Sequence, residues 1–165
     1  MIKKINITSS AENFHKDNAL SCDWKPASKE KSQDNKSRII KFKKGFKWSG
    51  VKTEKYKKRD RSWSDIVRNV LIGNHGETAK FHLRYFEITP EGYSNLERHG
   101  HEHVVVCIRG KGKILIDKRY YNIGYLDTVY VAPHAVHQLK NPYNEPFGFF
   151  CIVNSKRDKP KIIKR

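Results

Sequence analysis

From residue 66 onward, the chain consists of short apolar segments separated by turn residues. Glycine, proline and asparagine stand between the segments, as in Gly73-Asn74 and Asn141-Pro142, and these residue types favour turns. No long segment with apolar residues at helical spacing interrupts the series. Several short strands at this spacing are typical of a β-barrel or a β-sandwich, so the sequence predicts an all-β fold. The predicted strands are Ile66–Ile72, Ala79–Ile88, Leu96–Ile108, Lys113–Ile116, Tyr120–Ile123, Thr128–Val131, His137–Lys140 and Phe147–Val153.

Basic residues are concentrated at the two ends of the chain. The formal net charge is +17, and most of the excess of lysine and arginine lies before residue 69 and after residue 155. Residues 9–44 are mostly Asn, Ser, Asp, Glu and Lys, a composition that buries too little apolar area to offset the entropic cost of folding. We therefore expect a flexible basic extension over residues 1–44, a folded domain over 45–155 and a short basic tail over 156–165.

Three features of the sequence indicate the cellular compartment of the protein. The chain has no apolar run of the roughly 18 residues that a membrane-spanning helix needs. Its first ten residues lack the apolar core of a secretory signal. The three cysteines, Cys22, Cys107 and Cys151, form no CxxC pair, and their odd number suits reduced thiols better than a disulfide framework. We expect a cytoplasmic protein with no membrane segment.

The most unusual segment of the chain is Glu97–His103, with the sequence ERHGHEH. Alternate residues of a β-strand point to the same face, so a strand here would present four ionisable side chains on one side. These side chains are Glu97, His99, His101 and His103. The alternative is a polar strip that faces solvent, which would leave the valines and isoleucine of residues 104–108 to face the core.

A second segment supports the interpretation that the first segment is functional. It contains Gly124, Pro133, His137 and Asn141. Together, the two segments resemble the two-motif signature of the cupin superfamily, over roughly residues 85–153. The first motif of that signature contains an HxH pair, a Glu and a glycine, and the second contains a glycine, a proline, a histidine and an asparagine. The resemblance implies a cupin (jelly-roll-like) β-barrel that holds one metal ion.

The resemblance also implies a set of metal ligands, and the first motif can be matched in two ways. Counting back from Gly110 places a histidine at the Glu position and a Glu and a histidine at the HxH pair. In this first assignment the ligands are Glu97, His99, His103 and His137, with His101 as a neighbouring residue or alternative ligand. In the alternative assignment His99 and His101 form the HxH pair, and valines occupy the positions where the Glu is expected. We prefer the first assignment.

A bound metal ion would offset the energetic cost of burying these side chains. Burial of unpaired imidazole and carboxylate groups is costly, and coordination satisfies them. Three imidazoles and one carboxylate suit one divalent transition metal ion, which could be Fe, Mn, Ni, Co, Zn or Cu. Cys107 shares the inward parity of the histidines, and we interpret it as a core residue rather than a ligand.

The resemblance implies a metal site and leaves the reaction open. Cupins with such sites include dioxygenases, isomerases, decarboxylases and lyases, and a fold alone does not select among them. We expect a metal-dependent enzyme that acts on a small molecule. The first alternative is a non-catalytic cupin that senses or stores a ligand or a metal.

A second alternative, a nucleic-acid-associated protein, follows from the basic N-terminal region. There, lysines and arginines alternate with aromatic residues, a combination that single-stranded nucleic-acid binders use. The simpler interpretation, which we favour, is that Trp48, Tyr56 and Trp63 pack against the barrel while the lysines stay in solvent. Because the edges of such a barrel are exposed, we also expect a homodimer, with residues 46–63 reaching the partner subunit.

Overall fold

The structure is a computed structural model that describes residues 36–56 and 62–163. Most of the predicted flexible extension, residues 1–35, lies outside the described residues. So do four basic residues of the segment in which lysines and arginines alternate with aromatics: Lys57, Lys58, Arg59 and Arg61. No helix in the described ranges is long and apolar enough to cross a membrane. The strands are β1 (Phe42–Lys43), β2 (Lys47–Trp48), β3 (Thr53–Lys55), β4 (Ser64–Ile72), β5 (Phe81–Tyr93), β6 (Glu97–Arg98), β7 (His103–Arg109), β8 (Gly112–Ile116), β9 (Arg119–Ile123), β10 (Thr128–Val131), β11 (His137–Lys140), β12 (Phe147–Asn154) and β13 (Lys161–Ile162).

Eleven of these strands form one curled antiparallel sheet, and β1 and β2 form a separate hairpin. The long strand β5 joins the two sides of the curl. It pairs with β4 and β12 along most of its length and reaches β11 at its end, where Tyr93 lies opposite Lys140. The predicted all-β class and the predicted barrel are therefore confirmed.

Side chains from neighbouring strands fill the barrel in rows, because residues that face each other across a sheet point to the same side. Ile66, Ile88 and Phe147 form one row, and Phe86 lies opposite Phe149 in the next. All five are at most 4% exposed. Further along the same faces, the rows contain an arginine, a cysteine and a histidine in place of these apolar residues. The interior therefore changes from apolar at one end to polar at the other.

A second apolar cluster covers the outer face of the sheet. Its centre is Tyr85, whose ring centroid lies 4.9 Å from that of Trp48 and 5.5 Å from that of Phe46. Trp48 is 8% exposed, whereas the lysines of the β1–β2 hairpin are exposed. Tyr56 contacts Trp63 and the inward-facing Phe86 at centroid distances of 5.5 and 5.6 Å. The prediction that these aromatics pack against the barrel is confirmed.

Two strand predictions differ from the structure. The predicted strand Ala79–Ile88 ends before the observed one, since β5 continues through Pro90-Glu91-Gly92 to Tyr93. Glu91 takes a φ of 63° there and forms an irregularity that lets pairing continue. The predicted strand Leu96–Ile108 is interrupted between β6 and β7. β6 pairs with β11 and β13, whereas β7 pairs with β10 and β12, so the chain has to cross from one set of partners to the other.

The predicted homodimer remains a prediction. The aromatics of residues 46–56 and Trp63, which were expected to reach a partner, contact the barrel of their own chain. An edge remains at β10, which pairs with β7 and exposes 61% of Tyr130, and an exposed strand edge favours association. Sedimentation equilibrium at moderate ionic strength is expected to give about twice the chain mass of 19.4 kDa. A mass of one chain at every protein concentration would contradict the dimer.

Candidate metal centre

Four histidines and one glutamate meet at the polar end of the barrel. Glu97 lies on β6, His103 begins β7 and His137 begins β11, while His99 and His101 lie on the connection between β6 and β7. His103 is half-buried and the other four are at most 8% exposed. The residues between them, at positions 98, 100 and 102, are exposed. The predicted inward orientation is thus confirmed, although the strand is interrupted.

Backbone contacts hold the connection in place where it is not part of a strand. His134 N–H donates to the carbonyl oxygen of His99 at 2.7 Å, and Gly100 N–H donates to the Asp158 carboxylate at 2.8 Å. His137 lies directly opposite Glu97 in the pairing of β11 with β6. These contacts bring side chains from three segments to one position.

His99 is the centre of the group. Its ring centroid lies 3.7 Å from that of His101, 4.4 Å from that of His103 and 4.8 Å from that of His137. The rings of His101 and His103 are stacked nearly parallel to it, at 10° and 11°. The Nε2 atoms of His99 and His103 are 2.7 Å apart.

Three of the rings are oriented by a hydrogen bond at Nδ1. His99 Nδ1 donates to the carbonyl oxygen of His101 at 2.7 Å, and His137 Nδ1 donates to that of Ala135 at 2.9 Å. His101 Nδ1 lies 2.6 Å from Asp158 Oδ1. Because a carbonyl oxygen only accepts, Nδ1 carries the proton in His99 and His137, and Nε2 is the basic nitrogen. Metal-binding histidines in proteins are oriented in this way.

His103 has a different partner at Nδ1, the thiol of Cys151, whose Sγ lies at 3.4 Å. With its proton on Nε2, His103 donates to His99 Nε2 and accepts from the thiol. With its proton on Nδ1, His103 donates to the sulfur, and the Nε2 atoms of both rings then have lone pairs that face each other. Two such lone pairs at 2.7 Å repel, and a cation coordinated by both nitrogens would relieve the repulsion.

Burial keeps two of these histidines neutral. It lowers the pKa of His99 to about 4, with the charges of His101 and His137 adding to the effect. Burial also lowers the pKa of His103 to about 2, and the charges of His137 and His99 contribute. The neutral ring is the form that binds a metal ion. The neutral imidazoles of His99 and His103, together with the carboxyl group of Glu97, therefore fit a divalent transition metal ion.

The structure brings the candidate ligands together in two overlapping groups. Ligand atoms of Glu97, His99 and His137 lie within 4.8 Å of one another, and so do those of His99, His101 and His103. The first group belongs to the first assignment, and the second contains the HxH pair of the alternative assignment. Alanine substitutions at His101 and His103 would distinguish the two assignments.

Asn141 of the second motif, and His134 beside Pro133 in the same segment, lie apart from the histidine rings. Asn141 is 1% exposed, and its Nδ2 donates to the carbonyl oxygens of Ile88 and Glu145, so it holds the chain that follows β11. His134 has a φ of 65° and lies exposed in the loop between β10 and β11. Cys107, predicted to be a core residue, is fully buried in the apolar cluster of the barrel.

The sequence pattern alone indicates no role for Asp158 or Cys151 in the site. Asp158 belongs to the predicted basic tail, yet it hydrogen-bonds with Gly100 and His101, and these contacts hold the pKa of its carboxyl group below the usual range. The tail reaches the site because β13 pairs with β6. The only sequence signal was one acidic residue among six basic ones in residues 156–165.

An open cavity lies above the histidines. Its apolar lining comes from β4, β5, β7, β11 and β12, and its polar lining includes Ser94 and three arginines. The residues that line it, besides the five candidate ligands, are Tyr56, Ile66, Arg68, Arg84, Phe86, Ser94, Val105, Leu139, Phe149, Cys151, Arg157 and Pro160.

Comparison with known proteins agrees with this geometry. Residues 84–153 match the model of the Cupin domain family. The chain is 35% identical over 122 residues to 1-methylthio-D-xylulose 5-phosphate methylsulfurylase of Rhodospirillum rubrum, covering 73% of this chain and 77% of that protein.

Two solved structures are similar over most of their length. One is a cupin 2 conserved barrel domain protein from Rhodopseudomonas palustris, with 30% identity and a TM-score of 0.71, covering 77% of this chain and 87% of that one. The other is a cupin-2 domain from Rhodospirillum rubrum, with 33% identity and a TM-score of 0.67, covering 76% and 84%. The sequence motifs, the barrel and these similarities agree, and the chain belongs to the cupin superfamily.

Proposed function

We propose that this chain is a metal-dependent cupin enzyme that acts on a small molecule. The observation that carries the proposal is the group of four histidines at the base of an open cavity. Structural metal sites are closed by protein ligands, whereas catalytic sites keep an open position. Side chains that line a cavity leave room for a substrate on one side.

In the first assignment, Glu97, His99, His103 and His137 would hold one divalent transition metal ion. Such an ion acts as a Lewis acid that polarises a bound oxygen atom and stabilises negative charge. The Nδ1 hydrogen bonds of His99 and His137 fix the orientation of the rings. Phenylalanine and leucine side chains make part of the cavity lining apolar.

The relative from Rhodospirillum rubrum supports a small-molecule substrate. It is named for its action on 1-methylthio-D-xylulose 5-phosphate, and this compound is therefore the first substrate to test with the present chain. A shared fold does not by itself transfer an activity. The support comes from 35% identity over 77% of that protein together with the histidine group.

The proposal is tested by metal analysis and turnover on the same sample. Protein purified without chelator is expected to contain about one transition metal ion per chain, measured by inductively coupled plasma mass spectrometry. Removal of the metal should abolish turnover of 1-methylthio-D-xylulose 5-phosphate, and reloading with one of the six candidate metals should restore it. A protein that binds no metal would contradict the proposal. A tightly bound metal without turnover would favour the non-catalytic alternative.

A further inference from the structure

Three arginines form one wall of the cavity beside the histidines. Arg68 is on β4, Arg84 is on β5 and Arg157 follows β12. Arg68 lies opposite Phe86 and therefore on the same face as Arg84, in the next row. Residues placed diagonally in this way are within reach of each other's long side chains.

The three arginines of this wall outnumber the two carboxyl residues near them, Glu54 and Glu97. Arg68 forms an ion pair with Glu54 at 2.6 Å. Across residues 36–56 and 62–163, no ion pair involves Arg84 or Arg157. Arg157 donates instead to the carbonyl oxygen of Asn154 at 3.1 Å. Burial and the charge of Arg84, with a smaller contribution from Arg68, lower the pKa of Arg157, which agrees with guanidinium groups held close together.

Part of the hydrogen-bonding capacity of the wall is unused. The Nε atoms of Arg68 and Arg84 are buried and have no hydrogen-bond partner within the described part of the chain. The Nη2 atom of Arg84 has Cys151 Sγ as its neighbour at 3.2 Å, and sulfur is a weak acceptor. A buried donor that lacks a good acceptor is costly, so this arrangement is suited to an anion.

We propose that Arg68, Arg84 and Arg157 form an anion subsite that binds the phosphate group of a phosphate monoester substrate. The inference rests on the proposed function and names the substrate class of the same site. Glu97 also lines the cavity, and as a metal ligand in the first assignment its charge would be offset by the ion. After the ion pair between Arg68 and Glu54, the arginines then retain two positive charges, which match a phosphate dianion better than a carboxylate. Guanidinium groups also suit phosphate geometry, because they donate paired hydrogen bonds.

The anion subsite and the histidines are close enough for one small molecule to reach both. Cys151 Sγ lies 3.2 Å from Arg84 Nη2 and 3.4 Å from His103 Nδ1. A single sulfur atom therefore separates the subsite from a candidate metal ligand. A substrate held by its phosphate at the arginines would place its next few carbon atoms over the histidines.

Isothermal titration calorimetry with sn-glycerol 3-phosphate tests the subsite without requiring turnover. Arg84→Gln and Arg157→Gln are expected to weaken binding about tenfold or more at moderate ionic strength. The matched control is Lys111→Gln, which removes the same charge from an exposed residue that follows the far end of β7. This variant is expected to bind within about twofold of the wild type. Equal weakening in all three variants, or unchanged binding in the arginine variants, would overturn the proposal.

Two further measurements make the result specific. D-glycerate, which has a carboxylate in place of the phosphate, is expected to bind more weakly than sn-glycerol 3-phosphate. Equal binding of the two would overturn the assignment to phosphate esters. Arg84→Lys, which keeps the charge, is expected to bind between the wild type and Arg84→Gln, and thermal melting of each variant shows whether it is folded.

Metal content separates a failure of the subsite from a failure of the proposed function. Both arginine variants are expected to retain the metal content of the wild type. If the wild type binds sn-glycerol 3-phosphate through the arginines but contains no metal, the proposed function fails and the subsite stands. If the metal and turnover are present and the arginine variants bind the probe normally, the subsite fails and the proposed function stands.

Discussion

Replacement of His99 by alanine is expected to remove the bound metal almost completely. His99 is the residue on which the other rings converge, since it lies within 4.8 Å of three histidine ring centroids. It is also shared by both groups of candidate ligands. Changes in the residues that merely orient metal ligands typically cost about 10–100-fold in affinity, and loss of this ligand should cost more. The measurement is metal content after dialysis against a fixed free metal concentration.

The same measurement separates the two assignments. In the first assignment, His103→Ala and His137→Ala also lose the metal, whereas His101→Ala weakens binding by about tenfold through loss of its link to Asp158. The control is His134→Ala, because His134 is exposed in the neighbouring loop. If His101→Ala removes the metal and the Glu97 and His103 variants keep it, the alternative assignment is correct. Retention of metal by His99→Ala would contradict both.

Replacement of Trp48 by alanine is expected to lower the free energy of unfolding by about 3–5 kcal/mol, the usual cost of removing a large buried aromatic side chain. Trp48 is 8% exposed, and its ring contacts Tyr85 and Phe150 on the outer face of the sheet. It therefore fastens the β1–β2 hairpin to the barrel. Urea unfolding followed by far-ultraviolet circular dichroism measures the change.

The matched control for this prediction is Ile39→Ala. Ile39 also lies in the N-terminal region but is 81% exposed, so its removal should change the free energy of unfolding by less than about 0.5 kcal/mol. If Trp48→Ala and Ile39→Ala unfold at the same urea concentration, the hairpin contributes nothing to the stability of the barrel. The prediction that Trp48 stabilises the barrel by packing on the outer face of the sheet would then be wrong.

Much of the fold could be predicted from the sequence, because apolar and polar residues alternate within single strands. Strands such as β8 and β10 match their predicted ranges closely, because each has its own apolar pattern and its own turn. The inward orientation of residues 97–103 was also predictable, although the strand there is broken. The reason is that burial alternates through the interruption, and the connection continues to present every second side chain to the interior.

Other features of the site depend on contacts between distant parts of the chain. Asp158 and Arg157 lie in a segment whose composition indicates a solvated tail, and nothing local shows that β13 pairs with β6 some 60 residues earlier. The sequence places Arg84 next to apolar residues of β5, but period-two alternation does not reveal which face of that strand lines the cavity. The partners that decide it belong to β4 and β12.

The division of the site between segments bears on how such a protein can diversify. The candidate metal ligands come from β6, β7, β11 and the connection after β6, whereas the arginines come from β4, β5 and the chain after β12. Substitutions at residues that share no contacts tend to act independently. Arg84 is excluded from this, because Cys151 contacts both Arg84 and His103. A related protein could therefore replace Arg68 or Arg157 and accept a different substrate, while the histidine nitrogens that are the candidate metal ligands stayed in place. Metal binding and substrate specificity would then evolve separately within one barrel.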